Sequence, residues 1–148
     1  MNNTIYNIVL VDDDEDDRML FSEALEEISL KTSLSLFKHG QELLDYLFQP
    51  NIQLPSLIFL DINMPIVNGM QCLTEIRSKP ELKDLFIAMY STSSSDKDIE
   101  ESFQKGANIY INKPSCFIKL CEIVEKTLKI NFINHASQLN KENFIFRV

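Results

Sequence analysis

The feature that most constrains the fold is an alternation of short apolar runs with longer stretches in which apolar residues recur every three or four positions. The apolar runs cover residues 8–11, 34–37, 57–60, 86–90 and 109–111. Runs of this length are typical of β-strands, and the stretches between them have the period of amphipathic helices. Strands that alternate with helices indicate a parallel sheet covered by crossover helices. The sequence therefore predicts an α/β fold of five β/α units.

The end of the chain is harder to assign than its beginning. A last helix is predicted over 117–128, and Gly106 suits the C-terminal cap of the helix before it. From Asn131 the helical pattern weakens, so the tail could extend the last helix, form a strand at FIFRV or be partly loose. We predict one domain over 1–130, followed by a C-terminal tail or helix extension over 131–148.

Acidic residues are concentrated where the predicted strands end. Asp12 and Asp13 follow the first strand and open a run of six acids that ends at Asp17, and Asp61 follows the third strand. In open parallel sheets, ligands bind outside the carboxyl ends of the strands. If the first and third strands are neighbours, three carboxylates meet there and repel one another unless a divalent cation lies between them. Hard oxygen ligands with incomplete protein coordination suit Mg²⁺.

Two other strand ends carry groups that complement these acids. Ser91 follows the fourth strand and offers a hydroxyl, and Lys113 follows the fifth and offers a positive charge. A carboxylate can be the nucleophile in phosphoryl transfer, a metal ion and a lysine can neutralise phosphate oxygens, and a hydroxyl can donate to a further oxygen. Together these groups predict a phosphoryl site.

These residues resemble the receiver domains of two-component response regulators. The resemblance covers about Asn7 to Ile130 and rests on VDD at 11–13, DINMPIVNG at 61–69, Ser91-Thr92 after FIAMY, and YINKP at 110–114. It implies a flavodoxin-like, doubly wound sheet of five parallel strands in the order 2-1-3-4-5, with five helices. It also implies a stand-alone signalling receiver that catalyses only its own phosphotransfer and dephosphorylation and is otherwise not an enzyme.

The resemblance assigns a role to each residue of the phosphoryl site. Asp61 would accept the phosphoryl group from a sensor histidine kinase or a histidine phosphotransfer protein. Asp13 would bind Mg²⁺ directly, Asp12 directly or through water, and Asp61 with the backbone carbonyl of Asn63 would complete the protein ligands. Lys113 would pair with Asp61 and then with the phosphoryl group.

The resemblance also implies a conformational switch. Ser91 would move toward a phosphoryl oxygen, and the ring of Tyr110 would turn inward when that hydroxyl moves. Asn63 and Ser93 match the variable positions that tune dephosphorylation. The peptide bond before Pro114 would be cis, an isomer accessible mainly before proline.

Charge and composition narrow the expected partners. With 22 Asp and Glu against 14 Lys and Arg, the net charge of -8 argues against a nucleic-acid or anionic-membrane surface. No signal peptide or membrane helix is apparent, so we predict a cytoplasmic protein whose three cysteines are reduced. Two histidines are too few for a multi-histidine metal site. Output is expected through contact with a downstream protein or through phosphorelay, and the resemblance allows a homodimer through the last helix.

The acidic residues also allow other interpretations. The acidic run partly matches a calcium-binding loop, but Asp17 stands where that loop needs glycine, and a strand precedes the run. The acids from Asp14 to Asp17 are better explained as the solvated start of the first helix.

An acylphosphate-forming phosphatase or phosphotransferase acting on an external substrate is the alternative function. Haloacid-dehalogenase-type enzymes favour a second Asp where this chain has Asn63.

Overall fold

A computed structural model describes residues 5–134 and 145–146, with side chains described for residues 5–130. Within these residues the chain forms six strands and five helices, joined by short loops and one 3-10 turn at Pro80–Leu82. The strands are β1 (Tyr6–Val11), β2 (Thr32–Phe37), β3 (Leu57–Leu60), β4 (Ile87–Ser91), β5 (Ile109–Asn112) and β6 (Ile145–Phe146). The helices are α1 (Glu15–Glu26), α2 (Gly40–Leu47), α3 (Gly69–Arg77), α4 (Asp96–Gln104) and α5 (Phe117–Asn134).

The strands form one parallel sheet in the order β2-β1-β3-β4-β5-β6. The predicted order of the first five strands is therefore confirmed, as are the α/β class and the five helices. β6 adds a short parallel strand beside β5. Strand β3 lies at the centre of the original five and is buried at every position, as a strand covered on both faces should be.

The two faces of the sheet carry separate apolar layers. Successive residues of a strand point to opposite faces, so Phe59 packs under α1 and α5 while Leu60 packs under α2, α3 and α4. The rings of Phe59 and Phe21 meet edge to face with centroids 4.8 Å apart. Burying a side chain of this size contributes about 1.5–3 kcal/mol. In the described part of the chain, no helix is both long and apolar enough to cross a membrane.

The later elements refine the sequence prediction. Gly106 has φ of +97° and follows α4, which confirms its predicted place at the end of that helix. Helix α5 continues beyond 117–128 to Asn134, and the FIFRV segment contributes the β6 pairing. The other residues of the predicted tail, 135–144 and 147–148, lie outside the described part of the chain.

The three cysteines are all free thiols. Cys72 is buried on α3, Cys121 is half-buried and Cys116 is exposed. Burial raises the pKa of the Cys72 thiol to about 11. Since a thiol rather than a thiolate is present at neutral pH, Cys72 is an unreactive packing residue.

Candidate phosphoryl and metal site

The carboxyl ends of β1 and β3 bring three aspartates together. Val11 and Leu60 are register partners at the ends of these strands, and the amide of Asp61 donates to the carbonyl of Val11 at 3.0 Å. Carboxylate oxygens of Asp12, Asp13 and Asp61 all lie within 4.8 Å of one another. The adjacency of the first and third strands, on which the predicted cluster depended, is present.

The three carboxylates differ in burial. Asp12 is fully buried, Asp61 is 5% exposed, and Asp13 faces solvent. The amide of Asp14 donates to Asp12 Oδ1 at 3.0 Å, and the amide of Asn63 donates to Asp61 Oδ1 at 3.3 Å. The loops that follow both strands thus fold back so that their amides orient the buried carboxylates.

The electrostatic surroundings of Asp61 disfavour its ionised form. Its pKa is raised from 3.8 to about 6: burial is the main cause, the charge of Lys113 lowers the pKa, and the charges of Asp12 and Asp13 raise it. Asp61 is therefore mostly ionised at neutral pH, but at a cost in free energy. A hard divalent cation between the carboxylates would remove that cost, and this set of oxygen donors fits one.

Lys113 supplies the positive charge of the site. Its amide donates to the carbonyl of Ser91 at 2.8 Å, which fixes the chain after β5 against the end of β4. Its Nζ lies 2.9 Å from Asp12 Oδ2 and 3.5 Å from Asp61 Oδ2. Burial lowers the pKa of Lys113, but hydrogen bonds to Asp17 and Asp12 outweigh burial and raise it overall. The ammonium is charged at neutral pH.

The predicted cis peptide bond between Lys113 and Pro114 is wrong, because no peptide bond in the described residues is cis. Before proline the trans isomer is favoured by about 0.5–1 kcal/mol. With a trans bond, Lys113 makes both its main-chain hydrogen bond to Ser91 and its ion pair with Asp12. The contacts of the site therefore do not require the less stable isomer.

Two residues of α1 reach the site although the sequence analysis gave them no role there. Asp17 Oδ2 lies 2.9 Å from Lys113 Nζ, and Arg18 Nη1 donates to the carbonyl of Asp12 at 2.7 Å. The acids from Asp14 to Asp17 do lie at the start of α1, as predicted. Asp14 is the N-cap, and its carboxylate accepts from the Asp17 amide at 3.1 Å. Because α1 begins after the Asp14 cap, Asp17 at the end of its first turn lies beside the end of β1, and the acidic run alone did not mark it.

Ser91, Ser93 and Tyr110 form one connected group at the ends of β4 and β5. Ser91 is fully buried, and its Oγ accepts from the Ser93 amide at 3.0 Å. The ring of Tyr110 lies inward and is fully buried, and its hydroxyl donates to the Ser93 carbonyl at 2.7 Å. Burial raises the pKa of Tyr110, so the phenol stays protonated and remains a donor at neutral pH.

The hydroxyl of Ser93 links this group to helix α4. It donates to Asp98 Oδ2 at 2.6 Å, and the amide of Asp98 donates to Oγ of Ser95, the N-cap of α4. A change in the main chain at Ser93 would therefore be transmitted directly to the first turn of α4.

Gly69 allows α3 to begin close to the end of β3. Its amide donates to the carbonyl of Ile62 at 2.8 Å, and a Cβ at this position would overlap the carbonyl oxygen of Asp61. A residue without a side chain is therefore needed here. The close approach holds the loop that carries Asp61 against the first turn of α3.

Comparison with known proteins identifies one family. The family model described as "Response regulator receiver domain" matches residues 8–125. Response regulator Rcp1 of Synechocystis sp. is 30% identical over 122 residues, which cover 80% of this chain and 83% of Rcp1. A probable methanogenesis regulatory protein of Methanothrix harundinacea, FilR2, is also 30% identical, with 80% of this chain and 79% of FilR2 covered.

Solved structures agree with the sequence comparison. The crystal structure of the phosphorylated cyanobacterial phytochrome response regulator RcpA superposes with a TM-score of 0.80 at 32% identity, covering 88% of this chain and 96% of RcpA. The structure of Rcp1 described as its Mn²⁺-bound form superposes with a TM-score of 0.76 at 27% identity, covering 91% of this chain and 99% of Rcp1. Two neighbours of the same fold were thus solved in a phosphorylated and a metal-bound form.

Proposed function

The chain belongs to the response regulator receiver domain family, and from this premise we propose how it receives and transmits a phosphoryl signal. It is a phosphoacceptor switch in two-component signalling, as its relatives are response regulators with the same fold. The family predicted from the sequence is confirmed. Nothing in the comparisons supports the alternative of a phosphatase or phosphotransferase acting on an external substrate.

Asp61 is the phosphoacceptor in this proposal. The observation that carries it is the convergence of Asp12, Asp13 and Asp61 at two adjacent strand ends, with Lys113 Nζ 3.5 Å from Asp61. An oxygen of the ionised Asp61 attacks the phosphorus of a phosphohistidine, the P–N bond breaks, and the leaving imidazole takes up a proton. With a pKa of about 6, Asp61 has the ionised oxygen that this attack needs at neutral pH.

The proposed cofactor is Mg²⁺, held by the carboxylates of Asp12, Asp13 and Asp61 and by the backbone carbonyl of Asn63. The clustered hard oxygens support a divalent cation, and the relative Rcp1 was solved in a Mn²⁺-bound form. When bound, the cation neutralises charge on the phosphoryl oxygens and on the carboxylates that surround them.

Lys113 and Ser91 are the groups that respond to the phosphoryl group. Phosphorylation adds about one to two negative charges and several strong acceptor oxygens beside the Lys113 ammonium. Charge-assisted hydrogen bonds of about 1.5–3 kcal/mol each can bias two conformations that differ by a few kcal/mol. Ser91 Oγ now accepts from the Ser93 amide. A Ser91 hydroxyl that turns toward Asp61 gives up this contact.

The output would then travel from Ser93 to α4. Tyr110 and Asp98 both hydrogen-bond to Ser93, so a shift of Ser93 changes the position of the Tyr110 hydroxyl and the first turn of α4 together. Tyr110 thereby serves as the switch aromatic. Asn63 and Ser93, two residues after Asp61 and Ser91 respectively, tune the lifetime of the phosphorylated form. The surface formed by α4 and β5 is the proposed output face for a downstream protein or a phosphorelay partner.

The family implies a phosphodonor kinase partner, and we propose a sensor histidine kinase or a histidine phosphotransfer protein. The net charge of -8 supports a protein partner with a basic surface rather than nucleic acid or an anionic membrane. Free cysteines fit a reducing compartment, so we propose the cytoplasm. In this proposal residues 1–130 form the receiver, and 131–148 form a tail that could contribute to a homodimer.

The test is phosphorylation by a small-molecule donor. The protein is incubated with acetyl phosphate or phosphoramidate, with Mg²⁺ or with a chelator, and the adduct is measured by intact-protein mass spectrometry. We expect one phosphoryl group per chain with Mg²⁺ and none with the chelator. Asp61→Asn should abolish the adduct, whereas Asp16→Asn, which removes an exposed acid from the same run, should retain it.

Three outcomes would contradict parts of the proposal. An adduct that persists in Asp61→Asn would place the acceptor elsewhere. Multiple turnover on a range of phosphate esters, without a stoichiometric adduct, would instead support the enzyme alternative. Formation of the adduct without any divalent cation would overturn the assignment of Mg²⁺.

A further inference from the structure

The Lys113 ammonium is bound more closely to α1 than to Asp61. Its two shortest ion pairs, both 2.9 Å, are with Asp12 Oδ2 and Asp17 Oδ2, and Asp61 Oδ2 lies at 3.5 Å. An ammonium has three N–H donors. Two of them are committed to Asp12 and Asp17, and the contact with Asp61 is the longest of the three.

Asp17 is held in place by the helix that carries it. It lies in the first turn of α1, and its amide donates to Oδ1 of the N-cap Asp14 at 3.1 Å. Its side chain is 34% exposed, so its carboxylate pairs with Lys113 at the rim of the site. Of the acids that follow Asp13 in the run, all of them described, Asp17 is the one whose carboxylate contacts Lys113.

Asp17 and Asp61 therefore compete for one cation. A phosphoryl group on Asp61 would strengthen the pull on Lys113, because it adds negative charge and acceptor oxygens on that side. Every movement of Nζ toward Asp61 weakens the pairing with Asp17, which is fixed on α1. Asp12 also competes, but its carboxylate belongs to the cluster assigned to the metal ion, whereas Asp17 lies outside that cluster.

We propose, on the basis of the function proposed above, that Asp17 is a positioning residue that competes with Asp61 for the Lys113 ammonium and thereby sets the threshold for phosphorylation. Asp17 stabilises the unphosphorylated form more than the phosphorylated form. Removing its carboxylate should favour the phosphorylated form about two- to fivefold, which is the range for a partly exposed ion pair. The residue acts through Lys113 and does not touch the phosphoryl group.

The experiment measures binding of beryllofluoride, a phosphoryl mimic, at saturating Mg²⁺ by NMR of the main-chain amides. Asp17→Asn should bind beryllofluoride about two- to fivefold more tightly than the wild type, and Asp17→Glu, which keeps a carboxylate, should restore weaker binding. Asp16→Asn is the matched control, because it removes one charge from the same turn at an exposed position. It should bind as the wild type does.

A second readout reports the ion pair itself. In the metal-free protein, the side-chain ¹⁵N signal of Lys113 should shift in Asp17→Asn and stay in place in Asp16→Asn. A merely structural role of Asp17 in the first turn of α1 would alter helix stability without moving this signal selectively. Asp17→Ser removes the carboxylate in a second way, so the result does not depend on one variant.

The outcomes separate this inference from the proposed function. If Asp17→Asn and Asp17→Ser bind beryllofluoride as Asp16→Asn does, or more weakly, the positioning role of Asp17 is overturned. The proposed role of Asp61 as phosphoacceptor is unaffected by that result. If the Lys113 signal is the same in all variants, the inference is likewise overturned. If the wild type itself does not bind beryllofluoride in an Asp61-dependent manner, the proposed function fails and the inference fails with it.

Discussion

Each end of the sheet holds a half-buried cationic side chain, Lys113 or Arg77, and the two are satisfied in opposite ways. At the carboxyl end, Lys113 Nζ faces three carboxylates at 2.9, 2.9 and 3.5 Å. At the amino end, the guanidinium of Arg77 donates to the carbonyls of Gly106, Leu82 and Lys83 and to Oδ1 of Asn108, at 2.9–3.3 Å. Lys113 is surrounded by more negative charges than it can neutralise, whereas all the acceptors of Arg77 are neutral.

This difference suits the Lys113 end to conformational change and the Arg77 end to a fixed structure. The acceptors of Lys113 can exchange, because they are carboxylates and one of them, Asp61, can be protonated and is the proposed phosphoacceptor. The acceptors of Arg77 come from the residue after the C-cap of α4, the end of the 3-10 turn and the residue that follows it, and the residue before β5. Asn108 Oδ1 also accepts from the amide of Ile87 in β4. The planar guanidinium presents its N–H donors in a fixed fork that reaches all four of these acceptors, which an ammonium could not match. Arg77 therefore anchors α4 and β5 at the end that should not move.

The largest effect is expected at the fixed end. Arg77→Ala should lower the free energy of unfolding by about 3–4 kcal/mol, because hydrogen bonds from a charged donor contribute about 1.5–3 kcal/mol each and some of the four acceptors are exposed. Urea denaturation at pH 7 measures the loss. The loss should be the same with and without Mg²⁺, since the side chain lies at the opposite end of the sheet from the carboxylates.

Lys105→Ala is the control for the loss of a cation. Lys105 is on the surface, with Thr74 Oγ1 at 3.2 Å and Glu101 at 3.9 Å, so its removal should change stability by less than about 0.5 kcal/mol. A loss below about 1 kcal/mol for Arg77→Ala would mean that water replaces the guanidinium at little cost. The contrast between the two ends would then not hold.

The next effect is the dependence of stability on pH at the site end. The pKa of Asp61 is about 6 in the folded protein against 3.8 when unperturbed, so the folded state binds the proton more tightly. The contribution of Asp61 to stability is therefore fully present below about pH 4 and is lost as the pH rises through 6, by about 2–3 kcal/mol in total. Urea denaturation across pH 4–8 in a chelator should reveal this decline.

Asp61→Asn should remove that decline and raise the free energy of unfolding at pH 7 by about 2–3 kcal/mol, since the amide carries no charge to bury. Mg²⁺ should stabilise the wild type at pH 7 and have little effect on the variant. Asp16→Asn should keep the wild-type profile. A wild-type protein whose stability is flat between pH 4 and 7 would show that the carboxylates do not oppose folding.

The site end was largely predictable from sequence and the fixed end was not. Asp12, Asp61, Ser91 and Lys113 each follow an apolar run, and the topology of a parallel sheet collects such residues at one edge. The partners of Arg77 are mostly backbone carbonyls, which every residue type has, so no pattern in the sequence marks them.

Within the site, the missed features have the same kind of cause. The pairing of Asp17 with Lys113 depends on where the first turn of α1 lies relative to β1, and a run of six acids does not reveal which one turns inward. The isomer of the bond before Pro114 is set by small energy differences that the sequence does not show. To predict that Tyr110 is buried, one would need to know that the face of β5 on which its ring lies is covered by helices.

The smallest effect concerns backbone strain, and it sharpens the same contrast. Both ends of the molecule contain a residue with left-handed φ: Asn51 at +63° before β3, and Ile66 at +69° in the loop after Asp61. Asparagine tolerates this region, whereas a β-branched side chain is rare in it. Ile66 is 96% exposed, so packing does not compensate for the conformation. The site end thus keeps a strained residue where the other end uses a relaxed one.

Ile66→Asn should therefore raise the free energy of unfolding by about 1 kcal/mol, because it removes the steric conflict without taking away a buried contact. The reverse change, Asn51→Ile, is the matched control and should lower it by a similar amount. Both are measured by urea denaturation at pH 7 in a chelator. If Ile66→Asn is neutral while Asn51→Ile destabilises, the loop after Asp61 relaxes freely in solution. The strain would then not distinguish the two ends, which would leave the charge excess around Lys113 as the difference between them.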